Sequence, residues 1–120
     1  MPSLSERDSR LYLDDMLEFC QRARTYAAGY TAQALVEDRM RYDAVLRNLE
    51  LIGEASTHVE EVHKAMAPGI EWRKIVGTRN RLVHAYLGIA PDTVWSILND
   101  DLPGLESALK ALQAAISPTA

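Results

Sequence analysis

Residues 78 to 86 read Thr-Arg-Asn-Arg-Leu-Val-His-Ala-Tyr, so two guanidiniums, an amide, an imidazole and a phenol fall within one short segment. Arginine grips phosphate oxygens bidentately and stays charged at any working pH. Histidine gives or takes a proton near neutrality, and asparagine offers both a donor and an acceptor. These are the parts needed to cleave an RNA phosphodiester without a metal. A base takes the ribose 2′-hydroxyl proton, arginine stabilises the charged phosphorane, and an acid protonates the leaving oxygen. On residue type alone, a lone helical histidine is more often a hydrogen-bonded structural residue, and a tyrosine more often packs.

The helical wheel sets how these groups can meet. At about 100° per residue, Asn80 and His84 stand roughly 40° apart, with Arg81 some 60° beyond His84. Arg79 stands roughly 140° from His84, on the side of Leu82, Val83 and Tyr86. In the first turn of a helix opening at Thr78, its long side chain can bend round, so the geometry permits the pair without requiring it. Between Trp72 and Pro91 there is no Asp or Glu, while Arg73, Lys74, Arg79 and Arg81 all fall there. That segment is +4 in a chain of net charge −4, so the remainder carries −8. A basic segment on an acidic body can hold a phosphate without binding nucleic acid indiscriminately. Charge alone fits a solvated basic face equally well.

Helical spacing dominates the elements that must position these groups, and no run shows the period-two alternation of a strand. Leu13, Met16, Leu17, Cys20 and Ala27 predict a first helix from about Glu6 to Ala28, with Gly29 as its stop. Thr31 should cap a short helix through Val36. Val45, Leu49, Ile52, Ser56 and Val59, with Leu46 and Gly53 beside them, predict a second long helix from about Met40 to Lys64. Gly53 in its interior costs roughly 1 kcal/mol against alanine, which points to a close helix crossing. Asp43, Arg47, Glu50 and Glu54 run along one face of this helix at steps of four, three and four. By pattern alone they are a solvated salt-bridge stripe. Pro68 and Gly69 end the helix. A short turn from Trp72 to Val76 should close at Gly77, and Thr78 should cap a helix to about Leu87, stopped by Gly88. Pro91 suits the first turn of a helix over Asp92–Asn99. Pro103 opens or bends a last helix to about Ile116, with Leu102, Leu105, Leu109, Leu112 and Ile116 as its apolar set. The sum is an all-α, antiparallel four-helix bundle with additional short helices, a single domain over residues 1–120.

Apolar residues make up 48% of the 120, enough for one core but with no stretch near membrane-spanning length. The first ten residues lack a signal-peptide core, so a cytoplasmic protein with no membrane contact is expected. Cys20 is the single cysteine and reads as a buried small hydrophobe. Glu60-x-x-His63 resembles half of a di-iron bundle motif, but there is no second copy, so no metal is expected. His58 and His63 read as a solvated helix end. Ser56 and Thr57 near His58 lack the orienting partner and oxyanion hole of a triad.

Arg79-x4-His84-x-Tyr86 resembles the R-x4-H-x-Y signature of HepT-like members of the HEPN superfamily. The run from Asp43 to Ala55, Asp-Ala-Val-Leu-Arg-Asn-Leu-Glu-Leu-Ile-Gly-Glu-Ala, is similar to the family's second-helix pattern. Trp72 to His84 is similar to its active-site approach, and Val94-Trp95 followed by Asp100-Asp-Leu-Pro103 to its closing helices. The similarity runs from about Asp8 to Leu112; Ala85 stands where glycine is common. It implies a HEPN-like bundle and a metal-independent, cofactor-free endoribonuclease toxin acting on tRNA or mRNA as a homodimer, in a type VII-like toxin–antitoxin pair. Its antitoxin would be a minimal nucleotidyltransferase of the MntA kind that transfers AMP to the motif tyrosine, here Tyr86. Arg79 and His84 would be catalytic. Asn80, Arg81, Arg73 and Lys74 would hold RNA phosphate, and Asp43, Arg47, Glu50 and Glu54 would support the arginines if they face them. Acid–base cleavage normally uses two proton-handling groups, and the signature supplies one histidine per chain. A two-fold interface should therefore bring both His84 residues to one groove. The alternative is a non-catalytic helical binding subunit of a minimal nucleotidyltransferase.

Overall fold

Leu13, Met16, Cys20, Ala23 and Ala27 recur at steps of three and four and are all buried, which makes the first helix, α1 (Leu4–Ala27), a one-faced helix against the core. The computed structural model describes residues 4–85 and 88–116, with side chains from residue 8 onward. Gly29, at φ +80°, ends α1 as expected. The hydroxyl of Thr31 accepts the Ala34 N–H at 3.1 Å and caps α2 (Ala32–Glu37). Asp38 caps α3 (Arg39–Ser56) by accepting the Arg41 N–H at 3.2 Å. The Tyr30 hydroxyl, donating to Asp38 at 3.0 Å, and that backbone N–H hold its carboxyl below the usual carboxylate range.

The rest of the chain forms α4 (Glu61–Lys64), α5 (Trp72–His84), α6 (Pro91–Ser96) and α7 (Leu102–Ile116). A π-helical stretch, Ile97–Asp101, joins α6 to α7. No strand occurs among the described residues. α1 packs against α3 and α7, and α3 against α5. α1 and α3 run antiparallel. Tyr12 stacks on His58 with centroids 4.6 Å apart at one end, and Arg41 donates to the Tyr26 carbonyl at 3.0 Å at the other. α1 and α7 are also antiparallel, tied by Arg24–Glu106 at 2.6 Å and by Gln113 donating to Asp14. The predicted stripe is buried, Val45, Leu49, Ile52 and Ser56 on α3 and Val59 beyond its end. So are Leu102, Leu109, Leu112 and Ile116 of α7, with Leu105 half-buried. An all-α HEPN-like bundle results. No helix among the described residues is long and apolar enough to cross a membrane.

Three boundaries differ from the sequence reading. The second long helix stops at Ser56, not Lys64. There the Ser56 hydroxyl donates to the Gly53 carbonyl at 2.6 Å and the Thr57 hydroxyl to the Glu54 carbonyl at 2.7 Å. Side-chain bonds of this kind compete with the helical ladder. α5 is one continuous helix through Gly77, because Thr78 does not cap. Its hydroxyl donates back to the Lys74 carbonyl at 3.0 Å, and the helix ends at His84 rather than near Leu87. The chain from Pro91 stays helical past Pro103, as α6, the π-helical stretch and α7 in succession. A proline cannot donate to the carbonyl four residues back and its ring crowds that carbonyl, and the wider π turn just before Leu102 lets the chain continue.

His63 is a further correction, since it is buried rather than solvated. Its Nδ1 lies 2.6 Å from the buried Ser9 hydroxyl, which also accepts the Glu60 N–H at 3.3 Å. The contact fastens α4 to the start of α1. Cys20 is the buried hydrophobe expected, and burial pushes its thiol up from 9.0 to about 12.

Candidate active site

The site is built where α5 crosses α3. A Cβ placed on Gly53 would stand 2.2 Å from the Arg79 Cβ and 3.0 Å from the Ile75 carbonyl oxygen, so only glycine lets the helices approach this closely. The approach lays the Arg79 side chain along α3 and onto Glu54. Nε and Nη2 of Arg79 donate to the same Glu54 carboxylate oxygen at 2.9 and 2.7 Å. Nη1 donates to the Asn80 side-chain oxygen at 2.7 Å. These bonds use three of the five guanidinium N–H groups, leaving one on each Nη for an incoming anion. The side chain is 29% exposed, so it can still be reached.

His84 lies in the last turn of α5 and is exposed. It is roughly 140° round the helix from Arg79, and Arg79 is a mid-helix residue rather than a first-turn one. Within one chain the arginine is therefore anchored on α3 while the histidine faces outward. Asn80 stands on the histidine's face of the helix, and its side-chain oxygen accepts from the arginine.

The other predicted positions divide. Arg73 and Arg81 are exposed, and Arg81 makes a long 3.4 Å bond to the Gly88 carbonyl. Lys74 pairs with Asp101 of the π-helical stretch at 3.5 Å. That partner is 27 residues away in sequence, and no local spacing signals it. Of the α3 stripe only Glu54 reaches the arginine. Glu50 pairs with Arg47 on its own helix at 2.8 Å, and Asp43 is half-buried further back along α3. Tyr86 lies outside the described residues. No group of three or more His, Cys, Asp or Glu able to hold a metal ion occurs among the described residues.

The profile described as Ribonuclease HepT-like matches residues 16–112, which take in both crossing helices and the whole charged cluster. The chain belongs to the HepT-like ribonuclease family. A candidate RNase of Methanocaldococcus jannaschii is 31% identical over 107 residues, covering 89% of this chain and 98% of that protein. A candidate ribonuclease HepT of Thermococcus cleftensis is 30% identical over 108 residues, covering 90% of this chain and 98% of that protein. A candidate RNase of Caldanaerobacter subterraneus subsp. tengcongensis is 28% identical over 103 residues, covering 86% and 92%. No solved structure matches the chain significantly. Family membership supports endoribonuclease activity.

Proposed function

We propose that this protein is a metal-independent endoribonuclease toxin whose reacting groups are Arg79 and His84. The observation that carries the reading is the arginine held in advance by Glu54 and Asn80, with two N–H groups left over, on a helix that has no carboxylate of its own. Preorganised donors of this kind stabilise charge as it develops and need no rearrangement at the moment of reaction. One neutral His84 takes the 2′-hydroxyl proton. The 2′ oxygen attacks phosphorus, the P–O5′ bond breaks, and an imidazolium protonates the departing 5′ oxygen, leaving a 2′,3′-cyclic phosphate and a 5′-hydroxyl. A second copy of the chain supplies the second imidazole, so the working unit is a homodimer with both His84 residues on one groove. Exposed Arg73 and Arg81 meet the RNA backbone beside them, and Asn80 positions the arginine.

Regulation follows from the position of Tyr86 in the sequence. A minimal nucleotidyltransferase of the MntA kind, acting as cytoplasmic antitoxin, transfers AMP to Tyr86, two residues beyond His84. A bulky anion there excludes an RNA phosphate by charge and by volume. One observation favours a second reading: within a chain Arg79 and His84 point to different sides of α5. A non-catalytic subunit that presents Tyr86 to a nucleotidyltransferase would need no convergence. Solo expression decides between them. The toxin arrests growth and Arg79→Ala relieves the arrest, whereas the binding subunit leaves growth untouched. Intact mass after co-expression with the antitoxin should rise by one AMP, and the increment should vanish in Tyr86→Phe.

A further inference from the structure

Gly77 sits in the interior of α5, where glycine is the least favourable residue after proline. Nothing inside the molecule accounts for it. It has no positive φ, and a Cβ built there meets no atom within 4 Å, unlike the one at Gly53. A bare helix backbone suits the close approach of a ligand. Gly77 lines an open surface hollow between α4 and α5, walled also by Glu61, Lys64, Glu71, Trp72, Arg73 and Asn80.

Arg73, Gly77, Asn80 and His84 follow one another at steps of four, three and four. They therefore share one face of α5, within an arc of about 60° and along about 16 Å of axis. Arg73 is exposed and has no carboxylate partner among the described residues. Lys64 lies across the hollow, its ammonium 5.6 Å from the centre of the Trp72 ring.

We propose that this face is a track for the RNA strand flanking the scissile bond, its sugar–phosphate chain passing against the bare backbone at Gly77 and a phosphate resting on Arg73. The inference rests on the ribonuclease reading and adds to it the path of the strand over Gly77, which joins His84 and Asn80 to the Arg73 contact already proposed. A second copy of α5 seated on Gly77 is the competing occupant. It would bring Arg73 and Arg81 against their own like charges, whereas an RNA backbone complements them.

The test is a salt titration of single-stranded RNA binding to full-length protein carrying His84→Ala, which prevents cleavage. Adding Gly77→Leu, which fills the track, should weaken binding by about tenfold. Adding Arg73→Gln should weaken it and lower the slope of log K against log salt by about 0.7, the value of one phosphate contact on a single strand. Unchanged affinity in both variants overturns the proposal. A dimer that falls to monomer on Gly77→Leu overturns it too, because the glycine would then be a seam between copies. The ribonuclease reading is judged separately, by whether the parent cleaves RNA and its His84→Ala variant does not.

Discussion

Arg79 is pinned before any substrate arrives, and a single carboxylate oxygen of Glu54 takes two of its N–H groups. Both side chains keep substantial exposure, 29% and 47%, so the pair contributes little to stability, about 0–1 kcal/mol. Its value lies in aim. Glu54→Gln should leave the urea midpoint nearly unchanged while RNA cleavage falls by about tenfold to a hundredfold, the usual cost of a misplaced reacting group. Glu50→Gln, which removes only the partner of Arg47 on the same helix, should cleave at the parental rate. Cys20 shows the opposite balance, buried and remote from chemistry. Burial holds its thiol well above the ordinary 9.0, at about 12. The folded state therefore holds the proton more tightly, and stability is lost as pH rises from about 9 toward 12. Cys20→Ala should lose less stability than the parent across that window in urea melts. The sequence offered Arg79 and His84 as candidate reacting residues and the α3 stripe as their candidate support. It could not separate Glu54 from Glu50, because steps of three and four place both on one face, and only the crossing at Gly53 decides which reaches α5. His63 was misread for a related reason, its partner Ser9 lying 54 residues away.

At the scale of elements, two glycines in helix interiors do different work. Gly53→Ala drives a methyl into the Arg79 Cβ at 2.2 Å and should cost about 1–3 kcal/mol in chemical denaturation while displacing the arginine. Gly77→Ala meets nothing and should leave stability unchanged or raise it by up to about 1 kcal/mol. Equal losses in the two variants would contradict this account of the α3–α5 crossing. Apolar periodicity and caps made α1, α2 and most of α3 and α7 legible, and Gly53 was readable as a crossing. The breaks were harder. Glycine at 77 and threonine at 78 form a plausible stop-and-start pair, yet the Thr78 hydroxyl turns back to Lys74 and the helix runs on. At Ser56 and Thr57 the same kind of side-chain bond accompanies a helix end. The π turn before Pro103 has no periodic signature at all.

The whole molecule is elongated, 48 × 29 × 22 Å, and Arg73, Lys74, Arg79 and Arg81 of its basic segment all lie on α5. One chain offers one imidazole on this surface and one arginine facing partly away from it, so the proposed chemistry belongs to a pair of chains. Light scattering of the purified protein should give twice the 13.4 kDa chain mass, and RNA binding should weaken steeply with salt. The most direct measurement is the rate at which purified protein cleaves a single-stranded RNA, parent against His84→Ala, in the presence of a metal chelator. The parent should cut and yield 2′,3′-cyclic phosphate ends, and the variant should lose at least about two orders of magnitude, the share general acid–base catalysis supplies. A His84→Ala protein that cleaves as fast as the parent would contradict the account.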